Sequence, residues 1–146
     1  MTTAQKRVVC AFNATRERNL AEHVTLADTF LTRLVGLLGQ PPVWSQTAGG
    51  LWIVPSHGVH TMGMRFDIDV IFLDRSNRAI HLENSLRPWR ISSVIPQARS
   101  VLELPPNAIA CSGTQLGDQI TFKIASRDNQ DSATAARPHP YLPLIA

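Results

Sequence analysis

Long apolar runs are missing from this chain. The N-terminal run VVCAF, residues 8–12, is shorter than the roughly 7–15 residues of a signal-peptide core. No stretch approaches the roughly 20 apolar residues that a membrane-spanning helix requires. We therefore expect a cytoplasmic protein that has no membrane partner. At 146 residues, the chain is nevertheless long enough to bury a hydrophobic core as a single domain.

Cysteine and lysine are both scarce. Cys10 and Cys111 are the only cysteines, and Lys6 and Lys123 are the only lysines. Two distant cysteines without a Cys-x-x-Cys motif argue against a disulfide framework or a zinc clip, and they predict two buried free thiols. The positive charge is carried almost entirely by arginine, which suits bidentate contacts with carboxylate or phosphate. Because the arginines do not cluster, codon bias explains them better than selection for anion binding, and we expect no nucleic-acid partner.

Recognisable catalytic and cofactor motifs are absent as well. The segment GLLGQ lacks the lysine of a phosphate-binding loop, and neither Gly-x-Ser-x-Gly nor His-Glu-x-x-His occurs. Cys111 is better interpreted as an inert thiol than as a nucleophile. The sequence therefore predicts no cofactor. It leaves open whether the protein is an enzyme, and it favours a protein that is not.

Seven short segments have the branched or alternating apolar pattern of β-strands. They are residues 8–12, 20–27, 49–55, 68–74, 79–83, 98–105 and 118–125. The fourth and fifth segments form a predicted hairpin with Ser76 and Asn77 at its tip. Because most of these strands follow one another without an intervening helix, a repeated βαβ arrangement is not expected.

One substantial helix is predicted over residues 25–39. Thr25 can cap its N-terminus, its apolar residues form a wide face, and Gly39 with the following proline pair ends it. The predicted fold class is α+β, with a mainly antiparallel, partly closed, barrel-like sheet on which this helix packs. We expect it to occupy residues 1–125 as a single domain. Residues 126–146, which are polar and rich in alanine and proline, are expected to form a mobile tail.

The stretch SHGVHTMGMRFDIDVIFLD, residues 56–74, contains most of the chemistry. His57 and His60 are three residues apart, and the neighbouring glycines favour a loop over a helix. A metal site would need Asp67, Asp69 or His81 as further ligands, which is possible for zinc or manganese. Because this spacing is not specific, we interpret the histidines as loop residues with local hydrogen bonds, and we predict no metal site.

Asp69 is the most informative residue of this stretch. In the alternation of a strand it shares a face with the apolar residues Ile71 and Leu73, so its carboxylate should lie at the edge of a buried surface. A buried carboxylate needs a partner. Arg33, Arg65 and backbone N–H groups are the candidates. A structural ion pair and a functional carboxylate remain equally open.

The segment LRPWRISS places Trp89 between Arg87 and Arg90. Such a group could stack on a base or a sugar ring. The favoured interpretation is that Trp89 packs on the domain and that both arginines are solvated.

Four blocks, TRLVGLLG, HTMGMRFDIDVIFLD, SVLELPP and LGDQITF, resemble in order and spacing the bacterial and archaeal family called domain of unknown function 192. The resemblance covers residues 8–125 and implies a compact α+β fold without an established activity. It implies importance for Met64, Asp69 and Glu103, and structural roles for Arg33, Gly36, Leu37, Gly117 and Asp118. The chain departs from the family where the usual Pro-Ala-Gly turn reads Pro105-Pro106-Asn107, and Asn107 is expected to adopt a left-handed conformation there.

Three functional hypotheses follow. The favoured one is a binding or accessory module for a small polar or sugar-like ligand, with Trp52 or Trp89 as an apolar wall. Its candidate ligand contacts are His57, His60, Met64, Arg65, Asp69 and Glu103. The second is a hydrolase that uses Asp69 or Glu103 as a base, with or without a metal ion. The third is a module that recognises a protein partner through a sheet edge.

Overall fold

A computed structural model describes residues 7–27 and 49–124, which form seven strands and one short helix. The strands are β1 (Val8–Asn13), β2 (Arg18–Ala27), β3 (Gly49–Ile53), β4 (Ile68–Leu73), β5 (Ala79–Leu86), β6 (Ser100–Leu104) and β7 (Ile120–Ile124), and the helix is α1 (Ala108–Ser112). Every strand corresponds to one of the seven apolar segments of the sequence. The helical turn follows Asn107, which has the expected left-handed φ of 70°.

The strands form one mixed sheet in the order β5-β4-β6-β3-β2-β1-β7. Among the described residues, five strand pairs are antiparallel and only β2 and β3 run parallel. A parallel pair needs a long crossover connection, and residues 28–48 provide its length. The mainly antiparallel α+β class predicted from the sequence is confirmed.

The sheet curls into a half-barrel whose two edge strands meet at one corner. Arg78 and Gln119 form an antiparallel bridge there. The N–H of Ala79 donates to the carbonyl of Asp118 at 2.9 Å, and the N–H of Ile120 donates to the carbonyl of Asn77 at 2.9 Å. These bonds protect one end of each edge strand, and they confirm the partly closed, barrel-like sheet.

Both faces of the central strands are buried. On β4, Ile71 and Leu73 belong to a cluster inside the half-barrel, whereas Val70 and Phe72 belong to a second cluster on the outer face. This explains why β4 is continuously apolar apart from Asp69. Inside the half-barrel, Trp52 packs against the inner cluster and stacks on Phe122 with ring centroids 3.7 Å apart.

The predicted start of the long helix is wrong. Thr25 pairs with Val8 of β1 and with Leu51 of β3, and strand β2 continues to Ala27. Pairing on both sides satisfies the backbone of Thr25 as a strand, and this outweighs its capacity to cap a helix. The rest of the predicted helix, residues 28–39, lies outside the described residues, as does the predicted tail, 126–146.

The cysteines are free thiols, but the expectation that both are buried is wrong. Cys10 is half-buried, and Cys111 is exposed on α1. The short helix packs Ala108 and Ile109 inward, so the following Cys111 faces away from the core. Within the described residues, no helix has the length and apolarity that a membrane crossing requires.

Candidate functional site

Two loop segments lie side by side across the end of the sheet. The segment 56–64 and the segment 87–95 run antiparallel, with Ser92 N–H donating to Val59 O at 2.9 Å and Ile95 N–H donating to His57 O at 2.8 Å. Their close approach favours glycine at position 58, where a Cβ atom would lie only 3.1 Å from the carbonyl oxygen of Ser93. A larger residue there would have to displace the neighbouring segment by a few tenths of an ångström.

Thr61 anchors the turn formed by residues 87–90. It is fully buried. Its hydroxyl donates to the carbonyl of Arg87 at 2.6 Å and accepts the N–H of Arg90 at 2.9 Å. The Thr61 hydroxyl thus bridges the Arg87 carbonyl and the Arg90 N–H, which would form a hydrogen bond with each other in a closed β-turn. The Thr61 carbonyl also accepts the N–H of Trp89 at 3.0 Å, so one side chain and its backbone fix the whole turn.

Trp89 occupies a strained position at the tip of this turn. Pro88 precedes it, and its own φ of 60° lies in the left-handed region. This is the third position of a type II turn, which normally takes glycine or asparagine. A bulky residue there costs roughly 1–3 kcal/mol and points to a functional reason. The Trp89 side chain is 63% exposed, so the interpretation that it packs on the domain is wrong.

An open cleft of about 400 Å³ lies beside this turn. It is bounded by the end of β5 on one side and by the 87–91 segment on the other. Its lining residues are Glu83, Asn84, Ser85, Leu86, Arg87, Arg90 and Ile91. The cleft therefore combines two guanidinium groups, one carboxylate and two neutral polar side chains with two apolar side chains.

Glu83 contributes the one carboxylate of this lining. Its Oε1 atom accepts the N–H of Ser93 at 2.6 Å and lies 3.5 Å from Nε2 of His81. One oxygen of Glu83 is therefore already hydrogen-bonded within the protein.

A β-bulge shapes the other wall of the cleft. Ile68 pairs with Leu86 and Val70 with Glu83, so β5 has one more residue than β4 over this interval. Ser85 in the bulge has a left-handed φ of 53°. The extra residue takes part of the backbone of β5 out of the ladder.

Asp69 holds this bulge. Its side chain is buried, its Oδ1 accepts the N–H of Ser85 at 2.9 Å, and its Oδ2 accepts the N–H of Ile109 at 2.9 Å. Burial raises the pKa of Asp69, and the backbone N–H donors counteract that shift. The expectation of a buried carboxylate held by backbone N–H groups is met. No arginine within the described residues pairs with it.

Glu103 lies on the opposite face of the sheet. It pairs in register with Leu51 and Val70 and is 4% exposed. Within the described residues its carboxyl group makes no hydrogen bond or ion pair. Burial raises its pKa to about 8, so the neutral acid predominates at neutral pH. Asp69 on the inner face and Glu103 on the outer face therefore do not converge on one site.

The other candidate contacts lie on the 56–64 segment or next to it, and none of them lines the cleft. The ring of His57 is hydrogen-bonded through Nδ1 to the carbonyl of Ala98 at 2.8 Å, whereas His60 is exposed and bridges to Ile91. Met64 is buried in the outer cluster, and Arg65 is exposed. Their role as ligand contacts stays a prediction. Within residues 7–27 and 49–124, no three His, Cys, Asp or Glu side chains gather as metal ligands would.

Comparison with known proteins identifies relatives of this architecture. A family model described as "Uncharacterized ACR", for domain of unknown function 192, matches residues 12–122. The chain belongs to this family. A UPF0127 protein of Thermococcus sibiricus is 32% identical over 117 residues, which cover 77% of this chain and 73% of that protein. The resemblance noted in the sequence is thereby confirmed.

Two crystal structures share the fold of this member of the DUF192 family. One, from Sinorhizobium meliloti and named as a candidate transcription regulator, has a TM-score of 0.65 and 17% identity over 84% of this chain and 97% of its own. The other, a protein of unknown function from Novosphingobium aromaticivorans, has a TM-score of 0.61 and 16% identity over 78% of this chain and 83% of its own. Likeness at this identity establishes the fold alone.

Two of the family's structural positions lie at the corner where the half-barrel closes. Gly117 has a left-handed φ of 88°. Asp118 is buried and accepts hydrogen bonds from Asn13 and from the guanidinium of Arg16 at 3.0 and 2.9 Å. Three further family positions, Arg33, Gly36 and Leu37, lie outside the described residues.

Sequence reasoning missed Thr61 and the bulge at Ser85. Neither residue type signals a site by itself, because both roles arise from contacts between segments distant in sequence. Pro88 was the available signal, since proline followed by a non-helical residue predicts a turn that would present Trp89 at its tip.

Proposed function

We propose that this DUF192 protein is a binding module for a small polar, sugar-like ligand, which occupies the cleft between the end of β5 and the 87–91 segment. The observation that carries the proposal is the exposure of Trp89, which is not itself a lining residue of the cleft but lies in the chain between two residues that are. An exposed tryptophan in a left-handed conformation, between two cleft arginines, costs stability. A protein retains such an arrangement most readily where the ring contacts a ligand.

The chemistry of the cleft supports a ligand of this class. Asn84 and Ser85 offer neutral polar groups, and Leu86 and Ile91 offer apolar surface. Sugars have the matching combination, because their hydroxyl groups need hydrogen-bond partners while their ring faces pack on apolar or aromatic side chains.

The positions of the buried carboxylates argue against Asp69 or Glu103 as the base of a hydrolase. Both oxygens of Asp69 already accept backbone N–H groups, and Glu103 is buried on the other face of the sheet. Neither group lines the cleft, so neither can reach a ligand there as a base without rearrangement.

Saturation-transfer NMR and calorimetry with a panel of monosaccharides test the proposal. We expect binding to the wild-type protein and an affinity at least tenfold lower for Trp89→Ala, equivalent to about 1.4 kcal/mol. The matched control is Leu116→Ala, since Leu116 is also 63% exposed but lies on the loop before β7. If no sugar binds, or if both variants bind as the wild type does, the proposal is wrong.

A further inference from the structure

We infer that the ligand of this cleft is anionic, namely a monosaccharide that carries a phosphate or a carboxylate group, and that Arg87 and Arg90 bind that group. The inference rests on the proposed function and names the ligand class of the same site. It goes against the interpretation of the arginines as codon bias, because the fold brings two of them together.

The first argument is the position of the two arginines. They are the first and last residues of the turn anchored by Thr61. In a β-turn the Cα atoms of these two positions lie within about 7 Å of each other. Because the buried Thr61 hydroxyl fixes the turn, the backbone of both arginines is already ordered before a ligand binds. This lowers the entropy cost of binding one ligand group with both guanidinium groups.

The second argument is that both guanidinium groups are available. Each side chain lines the cleft and is exposed. Within the part of the chain that the structure describes, neither group makes a hydrogen bond or an ion pair. Arg16, by contrast, is held by Asp118 at 2.9 Å. An arginine that is not paired within its own fold retains its full capacity for bidentate contact with a carboxylate or phosphate.

The third argument is the charge balance of the lining. The lining contains two arginines and one carboxylate, Glu83, so the formal charge of the lining residues is +1. The Ser93 N–H and the His81 ring already contact Glu83, so it repels an incoming anion less than a free carboxylate would.

Matched sugar series provide the test. Neutral monosaccharides in gluco, galacto and manno configuration are compared with the corresponding uronic acids and 6-phosphates by calorimetry at constant ionic strength. We expect at least one anionic member to bind ten or more times tighter than its neutral parent, and added salt to weaken only the anionic member. Inorganic phosphate alone should bind more weakly than the sugar phosphate, because it has no ring. The uronic acid and phosphate arms show which anionic group the site prefers.

Arg87→Gln and Arg90→Gln should each remove most of the anionic preference, measured as the ratio of the affinities for the anionic sugar and its neutral parent. Arg75→Gln is the control, because it removes the same charge from the exposed β4–β5 turn. Equal affinity for neutral and anionic sugars would overturn this inference and leave the binding function standing, as would an equal effect of Arg75→Gln. Absence of binding by every sugar would overturn both.

Discussion

Asp69 joins two parts of the molecule that are far apart in the sequence. One carboxylate oxygen holds the bulged Ser85 of β5, and the other holds Ile109 at the start of α1. The alternation of β4 predicted that this residue faces a buried surface and needs a partner. Backbone N–H groups were among the predicted partners, but the two that bind Asp69 could not be specified, because backbone N–H groups have no signature in the sequence and the bulge exists only once β4 and β5 are paired.

We expect Asp69→Asn to lower the free energy of unfolding by about 1–3 kcal/mol, because the asparagine amide turns a donor toward one of two buried N–H groups. Hydrogen exchange should accelerate at the Ser85 and Ile109 amides before it does in the rest of the sheet. Asp67→Asn is the control, since it removes a half-buried carboxylate two residues earlier on the chain. Unchanged exchange at both amides in Asp69→Asn would show that the carboxylate does not hold the bulge.

Among the elements, the 87–90 turn shows what local sequence can and cannot predict. Pro88 indicates a turn by its fixed φ. The exposure of Trp89 depends on Thr61, which lies 26 residues before Arg87 and fills the turn with its hydroxyl. A side-chain hydroxyl that replaces a turn hydrogen bond has no local signal. Strand β2 is a similar case, since pairing with β1 and β3 decided the conformation of Thr25.

The strain at Trp89 leads to a prediction about stability. Glycine adopts a left-handed φ without the steric penalty of about 1–2 kcal/mol that other residues incur. Trp89→Gly should therefore be more stable than Trp89→Ala by about 1 kcal/mol, although both variants lose the ring. Urea denaturation of the two variants provides the comparison, and both should lose ligand binding. Equal stabilities, or a more stable alanine variant, would mean that the turn is not strained at this position.

At the scale of the whole molecule, the seven strands of the described residues could be predicted because each has a local apolar pattern. The α+β class followed from the succession of these strands, most of which have no predicted helix between them. The strand order and the parallel pair β2–β3 could not be predicted, since they depend on pairings between distant segments. The half-barrel closes where the loop before β7 meets β5, and Asp118 links that loop both to the carboxyl end of β1 through Asn13 and to Ala79 through its own carbonyl.

Asp118 should therefore make the closed half-barrel sensitive to acid. Burial alone would raise the pKa of this carboxyl group, but hydrogen bonds from Arg16 and Asn13 hold the pKa at about 2, below its ordinary value of 3.8. Because the charged form is favoured in the folded state, its stabilisation is complete above about pH 4 and is lost as the pH falls toward about 2. Asp118→Asn should lower the free energy of unfolding by about 1.5–3 kcal/mol at neutral pH.

Urea melts between about pH 3 and pH 7 should show that the free energies of unfolding of the wild-type protein and of Asp118→Asn converge as the pH falls. Arg16→Gln removes the guanidinium partner, and its effect should be smaller because the Arg16 side chain is 37% exposed. The double variant should lose less stability than the two single losses added together, since both changes remove the same hydrogen bond. If the wild type and Asp118→Asn instead differ by the same amount at every pH, the charge of Asp118 does not stabilise the closure, and its shape and backbone carbonyl must account for its role.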